Sequence, residues 1–192
     1  MASLLHALTI DAHDPDRLAA FWGSLLERER VEDPYGAVAL APGEMPSFGL
    51  RFQPSQRSKA AQNWTHVDLT TQSADNQREI VAKALELGAR HIDIGQLPEE
   101  EHVVLADPEG NEFCVIEPRN QFLDGCGFVG ALASDGSREV GLFWAEALGW
   151  PLVWDQDEET AIQSPTGGTK ITWGGPPVAE KTGRVRLHFD LR

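Results

Sequence analysis

Basic residues are scarce in this chain. Sixteen Lys and Arg stand against 30 Asp and Glu in 192 residues, giving a formal net charge of −14 and a pI near 4.7. A surface that acidic repels phosphate backbones and anionic lipid heads, which argues against nucleic-acid and membrane-surface roles. Cysteine is nearly absent: two residues cannot build a disulfide framework, and the expected setting is reducing and cytoplasmic. Long apolar runs are missing as well. The opening MASLLHALTID carries no basic residue and its apolar stretch is broken by His6, so neither a secretory signal nor a membrane span is read there. The hydrophobic share of 41% and the charged share of 24% are those of a folded globular chain, which excludes wholesale disorder.

What the chain does have is a repeat. Sliding it over itself by 122 residues aligns positions 5–70 with 127–192 without a gap, and eleven pairs are then identical. Composition alone would give about four. The matches include Trp22/Trp144, His66/His188 and Asp68/Asp190, so His-x-Asp-Leu recurs as a unit. A weaker offset of 60 places His6 on His66. The chain therefore reads as units of about 60 residues starting near 4, 64, 126 and 186, the fourth stopping after its first strand.

Each unit opens with a strand and runs into a helix. In the first, LLHALTID leads to Asp14-Pro15, a cap followed by proline at the first helical turn. Leu18, Phe21, Trp22, Leu25 and Leu26 then make one apolar helix face. Strand-like runs at 37–40 and 48–52 follow, with room for a short strand at 29–32. In the second, strand 64–71 leads to a helix capped at Ser73 or Asp75 with Ile80, Val81, Ala84, Leu85 and Leu87 as its face, then strands at 91–94, 103–106 and 112–117. Asp107-Pro108-Glu109-Gly110-Asn111 is a strong turn between the last two. The third has strand 128–132, a helix through Leu142, Phe143, Ala147 and Leu148, and strands at 152–154, 160–162 and 170–173, and the fourth offers only 185–191. The class is α+β.

Tandem βαβββ units of this size, with His opening two of them, DPDRLAAFWGSLL, the His-x-Asp-Leu strand and ADPEGNEFCVIEP, resemble the vicinal-oxygen-chelate superfamily of glyoxalases, bleomycin-resistance proteins and dioxygenases, and within it the glyoxalase-like domain proteins. The resemblance implies a cupped mixed sheet made by two units. It implies a complete domain at 4–118, a linker at 119–126 and a partial second domain at 127–192. In metal-dependent members a divalent ion is held by His from the first strand of each unit and Glu from a last strand. Residue by residue, His6 and His66 fall on the His positions, and Cys114 stands where Glu is expected. Two imidazoles and a thiolate suit Zn²⁺ better than the Fe or Mn of a two-His, one-carboxylate set. Zn, Ni, Mn and Fe remain the candidate metals.

Side chains two apart on a strand share a face. Trp64, His66 and Asp68 therefore face one way, as do Glu112, Cys114 and Ile116. In the implied cup, His6, Trp64, Glu112 and Cys114 are ligand-binding candidates. His66 and Asp68 are catalytic candidates, the carboxylate orienting the imidazole. His6, His66 and Cys114 are the metal candidates, with Glu112 as substitute. Hydrogen-bonded pocket histidines and a Cys114 that acts only as a small core residue are the plainer alternatives. The expected function is capture of a small organic molecule without an obligatory metal; the alternative is a divalent-metal-dependent lyase, isomerase or dioxygenase. Because the fourth unit is one strand, unit three lacks a full partner, and a homodimer pairing units three of two chains is the expected remedy.

Overall fold

A computed structural model describes residues 2–43, 48–97, 99–178, 180 and 185–192. In chain order the elements are β1 (Leu5–Ala12), α1 (Pro15–Leu26), β2 (Arg30–Val31), β3 (Val38–Leu40), β4 (Gly49–Pro54), β5 (Thr65–Leu69), α2 (Ala74–Glu86), β6 (Arg90–His91), β7 (Val103–Ala106), β8 (Glu112–Val115), β9 (Val129–Ser134), α3 (Arg138–Leu148), β10 (Leu152–Gln156), β11 (Glu159–Gln163), β12 (Lys170–Trp173) and β13 (Leu187–Leu191). The βαβββ order holds three times, followed by a lone strand. No helix among the described residues is long and apolar enough to cross a membrane.

Local chemistry explains the helices. The Asp14 carboxylate accepts from the Arg17 amide at 3.0 Å and Pro15 fills the first turn, where a missing N–H costs nothing. The stripe of Leu18, Phe21, Trp22, Leu25 and Leu26 is buried as its spacing requires. Ser73 caps α2 by accepting from the Asn76 amide. Its buried face is narrower than the spacing suggests: Ile80 and Ala84 are buried whereas Leu85 is exposed. On α3 the expected Phe143 turns outward, 64% exposed, because Gly141 rather than a larger residue meets β11. Its ring instead lies edge-on against Trp144.

The sheets pair differently from the order of the chain. Units one and two do not share a sheet. Unit two joins unit three through an antiparallel β5–β9 pair, giving an eight-stranded sheet in the order β10-β11-β12-β9-β5-β8-β7-β6. Unit one joins the lone β13 through an antiparallel β1–β13 pair, giving a five-stranded sheet in the order β13-β1-β4-β3-β2. Chain thus leaves the small sheet, builds the large one and returns. Within every unit the first strand runs parallel to the last, β1 with β4, β5 with β8 and β9 with β12. Unit three therefore has its partner inside the chain, so an unfinished fourth unit no longer calls for a second copy to complete the sheet.

Both sheets bury one face under the helices in a continuous core that includes Leu8, Ile10, Trp22, Phe52, Leu69, Phe113, Leu132 and Ile162. Trp22 joins the two sheets: its ring lies edge-on to Phe113, centroids 5.1 Å apart, and its indole N–H donates to Asp107. Alternation then leaves the other face of each sheet to polar side chains.

Candidate functional site

On β5, Val67 and Leu69 enter the core and His66 and Asp68 take the opposite face. The parallel register sets Asp68 beside Cys114, whose neighbours Phe113 and Val115 are core residues. On the other flank, β9 places Ala133 opposite His66 and Ala131 opposite Asp68, so only methyl groups border the pair there. His66, Asp68 and Cys114 each offer a ligand atom within 4.8 Å of the others. His66 Nε2 lies 3.3 Å from Asp68 Oδ1, with side-chain exposures of 32% and 13%, so the ring is reachable and the carboxylate nearly sealed.

That contact is an ion pair without hydrogen-bond alignment. Asp68 Oδ1 is buried and has no hydrogen-bond partner among the described residues. Burial opposes a charged His66, but the Asp68 carboxylate and the Cys114 sulfur overcome it and its pKa is pushed up to about 10. Burial pushes the Cys114 thiol up, with His66 pulling the other way. At neutral pH the ring is an imidazolium. In that form its ring N–H groups donate hydrogen bonds.

The other expected residues are placed as follows. Glu112 shares the Cys114 face but is committed: it pairs with Lys59 Nζ and accepts from the Asn63 amide at 3.2 Å, anchoring the segment that follows β4. Trp64 is half-buried just before β5, its carbonyl accepting from the Asp135 amide. His6 stands in the other sheet, where the β1–β13 register shifts between Leu5 and Ala7. Its Nε2 is 2.9 Å from Arg192 Nη2, and burial, with Arg192 and Arg51 nearby, lowers its pKa. His6 and His66 are thus not brought together. The reason is topological: their strands pair with β13 and β9, not with each other.

The small sheet carries a polar face of its own that spacing did not reveal. Arg51 on β4 donates to Asp33 through Nε at 2.6 Å and Nη2 at 3.2 Å, and its Nη1 pairs with Asp190. This guanidinium, opposed by burial and helped by the Tyr35 and Ala37 amides, holds Asp33 down at about 2. His188 lies 3.5 Å from Asp190, so the repeated His–Asp pair exists in both sheets. In the second copy Arg51 shares the carboxylate. Recurrence of His-x-Asp-Leu was the signal for half of this cluster; nothing in spacing marked Arg51. A cavity of about 460 Å³ adjoins it. A larger cleft, about 860 Å³, lies away from both His–Asp pairs and is bounded by Arg28, Asn76, Lys83, Arg119 and Cys126.

A family model described as a glyoxalase-like domain matches residues 7–116 and 131–192. Among solved structures, glyoxalase I from Zea mays aligns over 98% of this chain and 72% of its own, with a TM-score of 0.66 at 12% identity. A putative dioxygenase from Bacillus subtilis aligns over 97% and 66%, with a TM-score of 0.58 at 14% identity. The fosfomycin resistance protein FosX from Listeria monocytogenes, in a complex with Mn(II), covers 63% of this chain and 94% of its own, with a TM-score of 0.48 at 14% identity. At these identities the likeness is one of fold. None of the curated proteins compared matches.

Proposed function

The chain belongs to the glyoxalase-like domain family, and on that premise we propose that it binds a small organic molecule on the helix-free face of its eight-stranded sheet, at His66, Asp68 and Cys114. One observation carries this reading: Asp68 Oδ1 is buried, has no hydrogen-bond donor among the described residues, and lies next to a partly exposed imidazole. A buried carboxylate oxygen without a donor costs roughly 1–3 kcal/mol. A ligand hydroxyl or amide N–H would recover it, while the imidazolium of His66 would meet a carbonyl or carboxylate of the same ligand. Ala131 and Ala133 leave room beside the pair.

The same orphaned oxygen favours a second reading, in which a divalent ion occupies the cluster. His nitrogen, carboxylate oxygen and thiolate sulfur form a donor set suited to Zn²⁺, and the three atoms are near enough to converge on one ion. The expected set of His6, His66 and Cys114 becomes His66, Asp68 and Cys114. Such an ion would act as a Lewis acid toward ligand oxygens. His66 would give up its proton to ligate beside Asp68 and Cys114.

The test is thermal-shift screening of chelator-treated protein against small carbonyl and hydroxy-acid compounds, with elemental analysis after loading with Zn²⁺, Mn²⁺, Ni²⁺ or Fe²⁺. Ligand stabilisation that disappears in His66→Ala and Asp68→Asn supports the first reading. About one metal per chain, lost in Asp68→Asn and Cys114→Ser but kept in His6→Ala, supports the second. Neither ligand nor metal on the wild-type protein would end both.

A further inference from the structure

Two charged side chains of opposite sign face one cavity, and neither pairs with another side chain among the described residues. The 460 Å³ cavity on the helix-free face of the five-stranded sheet is lined by Thr9, Asp11, Arg51, Gln53, Arg57 and His188, among others. Asp11 on β1 is 6% exposed. Its backbone is fixed on both sides, the amide donating to the Arg186 carbonyl at 2.8 Å and the carbonyl accepting from Arg186 Nη2 at 2.7 Å. Its carboxylate makes no hydrogen bond or ion pair among the described residues. Arg57 stands exposed on the cavity wall, its amide donating to Ser55 Oγ at 3.3 Å and its carbonyl accepting from Arg186. Its guanidinium likewise forms no ion pair among the described residues.

The remaining cation of the cavity is already committed. Arg51 is held between Asp33 and Asp190 and donates to Thr9 Oγ1 as well, so it has no charge to spare. Asp11 and Arg57 also fail to meet each other within the 4.0 Å of an ion pair, although both border the same space. The Asp11 carboxylate opens on the cavity without a protein donor, so a bound cation would be its nearest counter-charge. A simple cation would be repelled by Arg57, and a simple anion by Asp11.

We propose that this cavity is a second binding site, separate from the His66 cluster, for a small zwitterion of the α-amino acid type. The ligand ammonium sits on the Asp11 carboxylate and its carboxylate on the Arg57 guanidinium. Gln53 and His188 supply polar flanks at which the side chain of the amino acid is read. The volume falls within the span of small-ligand pockets, roughly 300–1,000 Å³.

Isothermal titration calorimetry with each of the common amino acids, and with methylammonium and acetate as half-ligands, tests this. At least one amino acid should bind, with each half-ligand about tenfold weaker or worse, because each can satisfy only one of the two charges. Asp11→Asn should weaken that amino acid about tenfold or more. Arg57→Gln, at an exposed position where folding is not at stake, should do the same, while His66→Ala leaves binding intact. Absence of binding for every amino acid at millimolar concentration overturns the proposal. So does binding that survives Arg57→Gln unchanged, or a half-ligand that binds as well as the whole.

Discussion

Arg186, just before the last strand, and Glu109, in the turn between β7 and β8, form a buried ion pair with Nη2–Oε2 at 3.0 Å across 77 residues of chain. Their side chains are 9% and 8% exposed. The same Glu109 carboxylate accepts from the amides of His13 and Asp14 at the entrance to α1. One side chain thus ties the first, second and fourth units together.

Replacing Glu109 with Ala should therefore cost about 3 kcal/mol or more, because it leaves a buried guanidinium without its counter-charge and two amides without acceptors. Arg186 Nε is already unpartnered. Urea denaturation of Glu109→Ala and Glu109→Gln measures it, and Gln should retain part of the loss. A change below about 0.5 kcal/mol for Ala would mean that water replaces the carboxylate at no cost.

Trp22 makes a second joint. Its indole N–H donates to Asp107 at 3.2 Å while Asp107 also accepts from Asn111 and the Glu109 amide. Burial raises the pKa of Asp107, and those donors work against the rise. Trp22→Phe keeps the contact with Phe113 but removes one donor, for an expected loss of about 1 kcal/mol. Trp22→Ala should cost about 3–5 kcal/mol. Equal losses for the two variants would contradict the assignment of most of the energy to packing.

The Asp33–Arg51 pair sets an acid limit. The Asp33 carboxyl, 5% exposed, is held at about 2 from an ordinary 3.8. A depressed carboxyl stabilises the fold in full above its unfolded value and loses that contribution as pH falls. The expected loss is about 2 kcal/mol between pH 4 and pH 2, at about 1.4 kcal/mol per pH unit. Stability curves of wild type and Asp33→Asn should converge in that window. Parallel curves would rule the pair out as the source.

Gly141 marks where α3 meets β11. A Cβ there would lie 2.0 Å from Thr160 Oγ1 and 2.7 Å from Thr160 Cβ. Gly141→Ala should destabilise by about 1–3 kcal/mol despite its better helix propensity. Thr160→Ala in the same chain should recover part of that by removing the oxygen. A stabilised Gly141→Ala in thermal melts would show that the helix can shift outward.

Much of this was legible beforehand, for reasons specific to each element. The Leu18–Leu26 stripe, the Asp14-Pro15 start and the Asp107–Asn111 turn rest on neighbours in sequence, and all three stand as read. The alternation that put His66, Asp68 and Cys114 on one face is equally local, since it needs only strand parity and one register. What spacing cannot carry is the choice of partner. That β5 joins β9, and β1 joins β13, depends on which edges meet, and this alone separates His6 from His66. Glu112 has the right parity, yet Lys59 claims it from a segment without periodicity. Asp11, Arg51 and Arg57 acquire meaning only once β13 lies alongside β1.

The β1–β13 pair has a mechanical consequence. Leu4 and Arg192 exchange hydrogen bonds at 2.9 Å in both directions, and the two strands run antiparallel from that point. A force that draws these residues apart does not shear the strands past each other. It opens the rungs one at a time, beginning at Leu5–Leu191, passing Ile10–Leu187 and reaching the Asp11–Arg186 hydrogen bond last. The seam that closes the small sheet is a zipper with its pull tab at Leu4 and Arg192. Opening it also draws Phe189 of β13 off Trp144 of α3, so the eight-stranded sheet feels the pull through that ring contact.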